Sequence, residues 1–169
     1  MELVLPSYTF EAVTTDFLFR GTFQPRGEIM TFTNDPRYVY YTFNDIEMFP
    51  INKGYQINCI KQPVINVNRD KLFFISLPKP EEAKKVQVLA AKRPVVFYSE
   101  SFAVRGYLHT NSDYPDNDLL DEARDFFPMS DATIFPLKAV PTLVTRQVPL
   151  LVLNRHQATG YHVYKPENA

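Results

Sequence analysis

Short apolar runs that are rich in β-branched and aromatic residues recur along the chain, and turn residues separate them. Two of the clearest are FLFRGTF at residues 17–23 and FAVRGYL at residues 102–108. Runs of this length and composition predict β-strands rather than helices. We expect about five such strands in each half of the chain, so the pattern predicts a mainly β protein.

Helical spacing is confined to a few short segments. The sequence DNDLLDEARDFF at residues 116–127 opens with the N-cap residues Asp and Asn and then places apolar residues at helical spacing, which predicts a short helix. Residues 27–41 are compatible with a helix only at their start, because Pro36 disfavours helical backbone at the residue before it. One or two helical turns are also expected to begin near Glu81.

The chain contains an internal repeat. Three blocks recur in the same order and at nearly constant spacing: residues 10–23 and 95–108, 44–51 and 130–137, and 62–70 and 148–156. The shared residues form a repeat signature: Arg20 and Arg105, Gly21 and Gly106, Asp45 and Asp131, Asn68 and Asn154, and Arg69 and Arg155. Such self-similarity predicts a tandem duplication. Its parts are a first β-barrel-like repeat at 1–77, a connector at 78–93 and a second β-barrel-like repeat at 94–169.

About five short strands per repeat, with a glycine inside the second, predict a small and strongly bent antiparallel barrel. Glycine lets a strand bend tightly or lets another backbone approach closely. We therefore expect two tandem barrel-like repeats with a short helix, packed together as a pseudo-dimer. This pattern resembles the Sm-like and SH3-like small barrels, and it is similar to uncharacterised bacterial tandem-repeat domains of the same kind.

The resemblance to Sm-like proteins also implies a function. Those barrels assemble into rings and bind single-stranded RNA through loops, one of which carries an arginine. Asn68-Arg69 and Asn154-Arg155 match that loop by position, although Asp70 and His156 stand where Sm sequences have glycine. One candidate function is therefore binding of single-stranded nucleic acid or a nucleotide, with nearby aromatic rings as stacking platforms. The residues for that site are Arg69, Arg155, Phe73 and Tyr161.

Composition and charge limit the partners. Of the 169 residues, 45% are hydrophobic, which is enough for a packed core. The net charge of -1 provides no overall attraction to nucleic acid or to anionic lipid. The basic residues are concentrated only in the connector, which a solvated linker explains. Cys59 is the single cysteine, so an internal disulfide and a multi-cysteine zinc site are excluded.

The chain shows neither a secretory leader pattern nor an apolar run of about 18 residues, the length of a membrane span. We therefore expect a cytoplasmic protein without a membrane partner. Signatures of nucleotide-binding loops, serine hydrolases and zinc proteases are also missing. His156 and His162 lie close in sequence, but a metal site needs a third ligand and none is evident. We expect neither an enzyme nor a cofactor or metal.

Arg20 and Arg105 are the most informative charged residues, because both repeats keep them beside glycine. We expect each to form an ion pair with the repeated aspartate of its own half, Asp45 or Asp131. The alternative is an anion site at the junction between the repeats. For the whole chain, the leading hypothesis is a non-catalytic interaction or scaffold protein that binds a protein partner or forms a homo-oligomer. The alternative remains nucleic-acid binding.

Overall fold

The computed structural model describes residues 4–52, 54–120, 123–139 and 144–167. Within these ranges the chain forms ten β-strands, which confirms the mainly β prediction. The strands are β1 Tyr8–Val13, β2 Phe17–Phe23, β3 Tyr40–Pro50, β4 Ile60–Asn68, β5 Phe74–Leu77, β6 Lys92–Tyr98, β7 Phe102–His109, β8 Phe126–Pro136, β9 Arg146–Asn154 and β10 Gly160–Val163.

All ten strands belong to one antiparallel sheet, in the order β10-β6-β7-β8-β9-β5-β1-β2-β3-β4. The strands of the two halves are joined where β5 pairs with β9, from Phe74 opposite Leu153 to Leu77 opposite Leu150. The structure therefore differs from the expected two barrel-like repeats, because the strands of both halves form one open sheet. Because β5 pairs with β9, the sheet runs across both halves, and no ladder closes it into a barrel among the described residues.

Helices contribute little. Helix α1 spans Ile29–Asn34, and helix α2 spans Pro80–Ala83 near the position expected in the connector. The helix expected at 116–127 is only a 3-10 turn at Asp116–Asp118, and residues 121 and 122 lie outside the described ranges. Phe126 and Phe127, at the end of that segment, belong instead to strand β8. Consecutive side chains are buried there, as in a strand that is covered on both faces. No described helix is long and apolar enough to cross a membrane.

The hairpins that begin each half use the same local device. Thr14 Oγ1 accepts a hydrogen bond from the backbone N–H of Phe17 at 3.2 Å, between β1 and β2. Ser99 Oγ accepts from the N–H of Phe102 at 3.2 Å, between β6 and β7. Hydroxyl side chains stabilise tight turns in this way, so the polar residues between the apolar runs set where each hairpin turns.

Two buried hydrophobic clusters form the core, and each contains side chains from both halves. The cluster of the second half includes Val13, Leu18, Ile51, Phe73 and Phe74 from the first half. The cluster of the first half includes Phe126, Leu150 and Val152 from the second. Separating the halves would expose apolar side chains in both clusters, so each half stabilises the other.

The connector packs onto the sheet instead of bridging it loosely. Glu82 in α2 accepts a hydrogen bond at Oε2 from the backbone N–H of Thr9 at 2.6 Å. Val86, which follows α2, is buried in the cluster of the first half. The expected solvated linker is thus anchored at these two points.

Candidate functional site

The Arg-Gly pair of the first half lies at a β-bulge. The register of β2 against β3 shifts just after Arg20, and Asp45 opposite has a φ of 52°, in the left-handed region. A Cβ on Gly21 would lie 2.5 Å from the carbonyl oxygen of Asn44 and 2.5 Å from Cδ1 of Ile46. Glycine is therefore required by the close approach of β3. Aspartate suits the bulge because it tolerates positive φ better than most residues.

The second half repeats this geometry between β7 and β8. The register shifts just after Arg105, and Asp131 has a φ of 50°. A Cβ on Gly106 would lie 2.9 Å from the carbonyl oxygen of Ser130. Four residues of the repeat signature thus serve the same local backbone geometry in both halves.

Arg20 pairs with Glu11 rather than with Asp45, which corrects the expected ion pair. Arg20 Nε donates to Glu11 Oε2 at 2.6 Å across β1 and β2. Glu11 also lies 3.3 Å from Nε of Arg146 on β9, and burial lowers the pKa of that second guanidinium. Arg20 pairs with Glu11 because Glu11 stands directly opposite it on β1, whereas Asp45 lies in the bulge with a positive φ.

Arg105 has no ion pair with Asp131 either. Val96 stands opposite Arg105, at the position that Glu11 has opposite Arg20. Arg105 therefore has no carboxylate directly across from it on β6. Both arginines instead share an aromatic contact: Arg20 lies 5.2 Å from the centre of the Phe49 ring, and Arg105 lies 5.8 Å from that of Phe135. The repeated arginine therefore covers the repeated phenylalanine, a favourable cation–π arrangement.

The two Asn-Arg turns are built alike and lie against each other. Asn68 Oδ1 accepts from the N–H of Asp70 at 3.0 Å, and Asn154 Oδ1 accepts from the N–H of His156 at 3.0 Å. Each asparagine thereby caps a 3-10 turn. Nδ2 of Asn154 also donates across the junction to the carbonyl oxygen of Leu72 at 2.9 Å. The signature residue of the second half thus binds the segment just before β5.

Arg69 belongs to the same junction. It is only 4% exposed, and its Nη2 donates to Oδ2 of Asp125 at 2.7 Å. Asp125 also accepts from Nε2 of His156 at 2.8 Å and lies 3.7 Å from Nη2 of Arg155. Burial opposes ionisation of Asp125, but the His156 hydrogen bond and the two guanidinium charges prevail, so its pKa is lowered.

The four residues of the nucleic-acid hypothesis do not form one exposed surface. Arg69 and Phe73 are buried, and the Phe73 ring is only 2% exposed within the core. Arg155 is half-buried beside Asp125, whereas Tyr161 lies on β10 and donates its hydroxyl to the carbonyl oxygen of Asn117. A base could not reach the Phe73 ring without unpacking the junction.

His109 is a buried histidine with both ring nitrogens in hydrogen-bonding contact. Nδ1 lies 2.6 Å from the carbonyl oxygen of Leu89, and Nε2 lies 2.7 Å from Oγ of Ser130. These bonds tie the connector to β8, which gives the residue a structural role. Among the described residues no group of three or more His, Cys, Asp or Glu side chains is arranged to hold a metal ion.

An open edge on β4 is the feature that sequence reasoning missed. The outer side of β4 pairs with no strand in the described ranges. Its first part carries Lys61 and Pro63, residue types that discourage strand pairing at an edge. The second part, Val64–Val67, has no such protection, and Val64 is 49% exposed. This second part is therefore available for backbone pairing.

A groove of about 520 Å³ runs beside this edge, and we call it the β4 groove. Its apolar lining consists of Phe17, Phe19, Met48, Ile65 and Val67. Phe17, Met48 and Ile65 are only half-buried. The opening thus combines apolar walls with an unpaired strand.

The corresponding groove of the second half is filled by this same chain. The aligned residues there are all at most 1% exposed: Phe102, Val104, Ile134, Leu151 and Leu153. They pack with Phe73 and Phe74 of the first half, and the Phe74 and Phe102 rings meet edge to face at 5.6 Å. The sequence signal for this difference is the residue aligned with Phe74, which is Gly160.

Comparison with known proteins gives no further assignment. Neither a protein-family model, nor a curated protein, nor a solved structure matches this chain.

Proposed function

We propose that this chain is a non-catalytic protein-interaction module made of two fused five-stranded units that form a pseudo-dimer. The observation that carries the proposal is the strand order. The first half runs β5-β1-β2-β3-β4, the second runs β10-β6-β7-β8-β9, and β5 pairs with β9. The counterparts of the two joining strands, β10 and β4, are the outer strands of the sheet. The halves are joined by pairing of β5 with β9, and the equivalent edges of β10 and β4 are left open to another protein.

Two further observations support the pseudo-dimer. The bulges at Gly21 and Gly106 have the same geometry, as expected for two copies of one unit. Both hydrophobic clusters also mix side chains from the two halves, as at an obligate dimer interface. The duplication thus resembles a dimer whose subunits have been joined by the connector.

Of the two open edges, β4 is the better binding surface. Strand β10 has only four residues, and one of them is the exposed polar residue His162. Short and polar edges are poor templates for pairing. Strand β4 is nine residues long and borders the apolar β4 groove.

The nucleic-acid alternative has less support. Of its four residues, Arg69 and Phe73 are buried at the junction, and Arg69 is neutralised by Asp125. Single-strand binding by stacking needs aromatic faces that bases can reach, together with a positively charged path for the backbone.

Selection of displayed random peptides by the immobilised full chain tests the proposal. We expect enrichment of peptides that bind specifically, relative to an unrelated β protein of similar charge. In parallel, sedimentation of the chain alone measures its oligomeric state, and a salt-titrated assay measures its affinity for random single-stranded RNA. Failure to enrich peptides, combined with a monomeric chain, would refute the interaction function. Tight RNA binding that weakens steeply with salt would support the alternative instead.

A further inference from the structure

We propose that the β4 groove binds an extended segment of a partner protein, which pairs antiparallel with Val64–Val67 and inserts an aromatic side chain opposite Val67. This inference rests on the proposed interaction function and names the chemistry of its ligand. The backbone pairing supplies affinity, and the inserted ring supplies selectivity.

Strand β5 of this same chain shows how such a segment would bind. Strand β5 pairs with Leu150–Leu153 of β9, the residues aligned with Val64–Val67 of β4. Phe74 of β5 stands opposite Leu153 and packs on Phe102. The β4 groove has the aligned wall residues but no occupant among the described residues, so a similar segment fits it.

The register of the internal pair defines the pattern that the groove selects. Phe74 and Ser76 face the cluster of the second half, whereas Ile75 and Leu77 face the opposite side of the sheet. Ser76 stands opposite Leu151, the counterpart of Ile65, and is fully buried. A ligand of the β4 groove therefore needs an aromatic residue, then any residue, then a small residue.

The length of the paired segment is set by proline. Pro149 stands just before the last pair of β5 with β9, which is Leu77 opposite Leu150. Pro63 occupies the aligned position of β4 and cannot donate a backbone hydrogen bond. Pairing along β4 should thus cover four residues, as it does at the internal junction.

Asn68 adds a polar contact at the other end of this segment. Its counterpart Asn154 uses Oδ1 to cap its own turn and Nδ2 to bind carbonyl oxygens just before β5. Asn68 Oδ1 makes the same cap, and its Nδ2 has no partner within the described ranges. We infer that this amide donates a hydrogen bond to a carbonyl oxygen of the ligand just before its aromatic residue.

A second copy of this chain is a poor occupant. The aligned strand β10 would present Gly160 where β5 presents Phe74, and His162 where β5 presents Ser76. Head-to-tail pairing of β10 with β4 would thus leave the groove unfilled. The occupant with the required chemistry is a strand from a different protein.

A labelled peptide provides the direct test. The probe NRDKLFFTSTP has the sequence of residues 68–78 with the changes Ile75→Thr and Leu77→Thr, which make its outward face polar. The control peptide carries Phe74→Gly as well, matching β10 at that position. We expect the full chain to bind the probe, in a fluorescence anisotropy titration, at least about tenfold more tightly than the control.

Variants of the full chain locate the binding. Ile65→Glu places a charge in the groove wall and should weaken probe binding by at least about tenfold. Asn68→Asp keeps the cap acceptor and removes the amide donor, so it should weaken binding without loss of stability. The matched control, His162→Glu on the outer β10 strand, should bind as the original chain does. Far-UV circular dichroism and the urea midpoint establish that each variant is folded.

The outcomes separate this inference from the proposed function. Equal affinity for the probe and the Phe74→Gly control, or binding unaffected by both β4 variants, would overturn the groove assignment. If displayed peptides still bind elsewhere, the interaction function stands alone. Self-association of the original chain that Ile65→Glu abolishes would replace the partner strand by a second copy.

A gain-of-function variant completes the test. A Cβ on Gly160 would meet no atom within 4 Å, so Gly160→Phe adds the missing aromatic residue without a clash at its Cβ. Because β10 and β4 lie at opposite ends, pairing between copies would be head to tail and could extend into rings or filaments. We expect a larger sedimenting species than for the original chain, reversed by adding Ile65→Glu. An unchanged monomer that also fails to bind the probe would overturn the proposal.

Discussion

Replacing Gly21 with alanine tests why both halves place glycine after arginine. The added methyl group would lie 2.5 Å from the carbonyl oxygen of Asn44 and 3.0 Å from that of Asp45. Both obstacles are backbone atoms of β3, which cannot swing aside as a flexible side chain does. The bulge would have to open, at the expense of the pairing between β2 and β3.

The expected magnitude follows from these distances. Overpacking costs about 1 to 3 kcal/mol, and Gly21→Ala should lie at the upper end of that range. Gly106→Ala should cost less, about 1 to 2 kcal/mol, because its nearest atom is 2.9 Å from the added Cβ. Gly160→Ala has no atom within 4 Å and should stabilise the fold by up to about 1 kcal/mol, since alanine restricts the unfolded chain.

Urea unfolding followed by circular dichroism measures these differences. If the slopes of the three variants are equal, the shifts in midpoint rank the free energies of unfolding directly. The expected order of stability is Gly160→Ala, then Gly106→Ala, then Gly21→Ala. Equal midpoints for the Gly21→Ala and Gly160→Ala proteins would refute the close-approach explanation.

Five other substitutions, at four positions, probe the junction and the bulge by the same unfolding assay. Arg69→Met should cost about 3 kcal/mol, because it removes a buried partner of Asp125, whereas Arg155→Met, a more exposed neighbour, should cost about 1 kcal/mol. Asp125→Asn should destabilise most near neutral pH. Its lowered pKa adds stability that is fully present above the unfolded value of about 3.9 and is lost as pH falls through the folded pKa, so original and variant stabilities should converge as the pH falls below about 4. Asp45→Val should cost about 1 to 2 kcal/mol because φ is 52°, while Asp45→Asn should be nearly neutral.

Local features of the fold could be predicted from the sequence, and long-range partners could not. Short runs rich in β-branched and aromatic residues indicate strands because such side chains pack well on a pleated sheet. The partner of Arg20 was missed because it depends on which residue of β1 stands opposite, and register is not visible in a single run. The helix expected at 116–127 was wrong at its end, because Phe126 and Phe127 are buried on opposite faces of β8, in different clusters.

The junction shows the same limit for the candidate site. Arg69 and Arg155 were grouped as candidate nucleic-acid-binding residues because they occupy matching Asn-Arg turns, yet both lie beside Asp125 in the structure. That residue comes from a segment with no similarity between the halves, so the alignment contains no sign of the ion pairs. The β4 groove could have been predicted from the sequence, however, because the alignment places Gly160 at the position of Phe74.

The two aligned strands β4 and β9 differ in a way that constrains what β4 can bind. In β9 the run Leu150–Leu153 is apolar throughout, because one of its faces packs in each hydrophobic cluster. In β4 the aligned run keeps Ile65 and Val67 on the groove side but has the exposed residue Asn66 between them. A segment bound there would thus need to bury only one face, and its outward residues could stay polar. Such a segment could remain soluble before binding, which β5 with its two apolar faces could not.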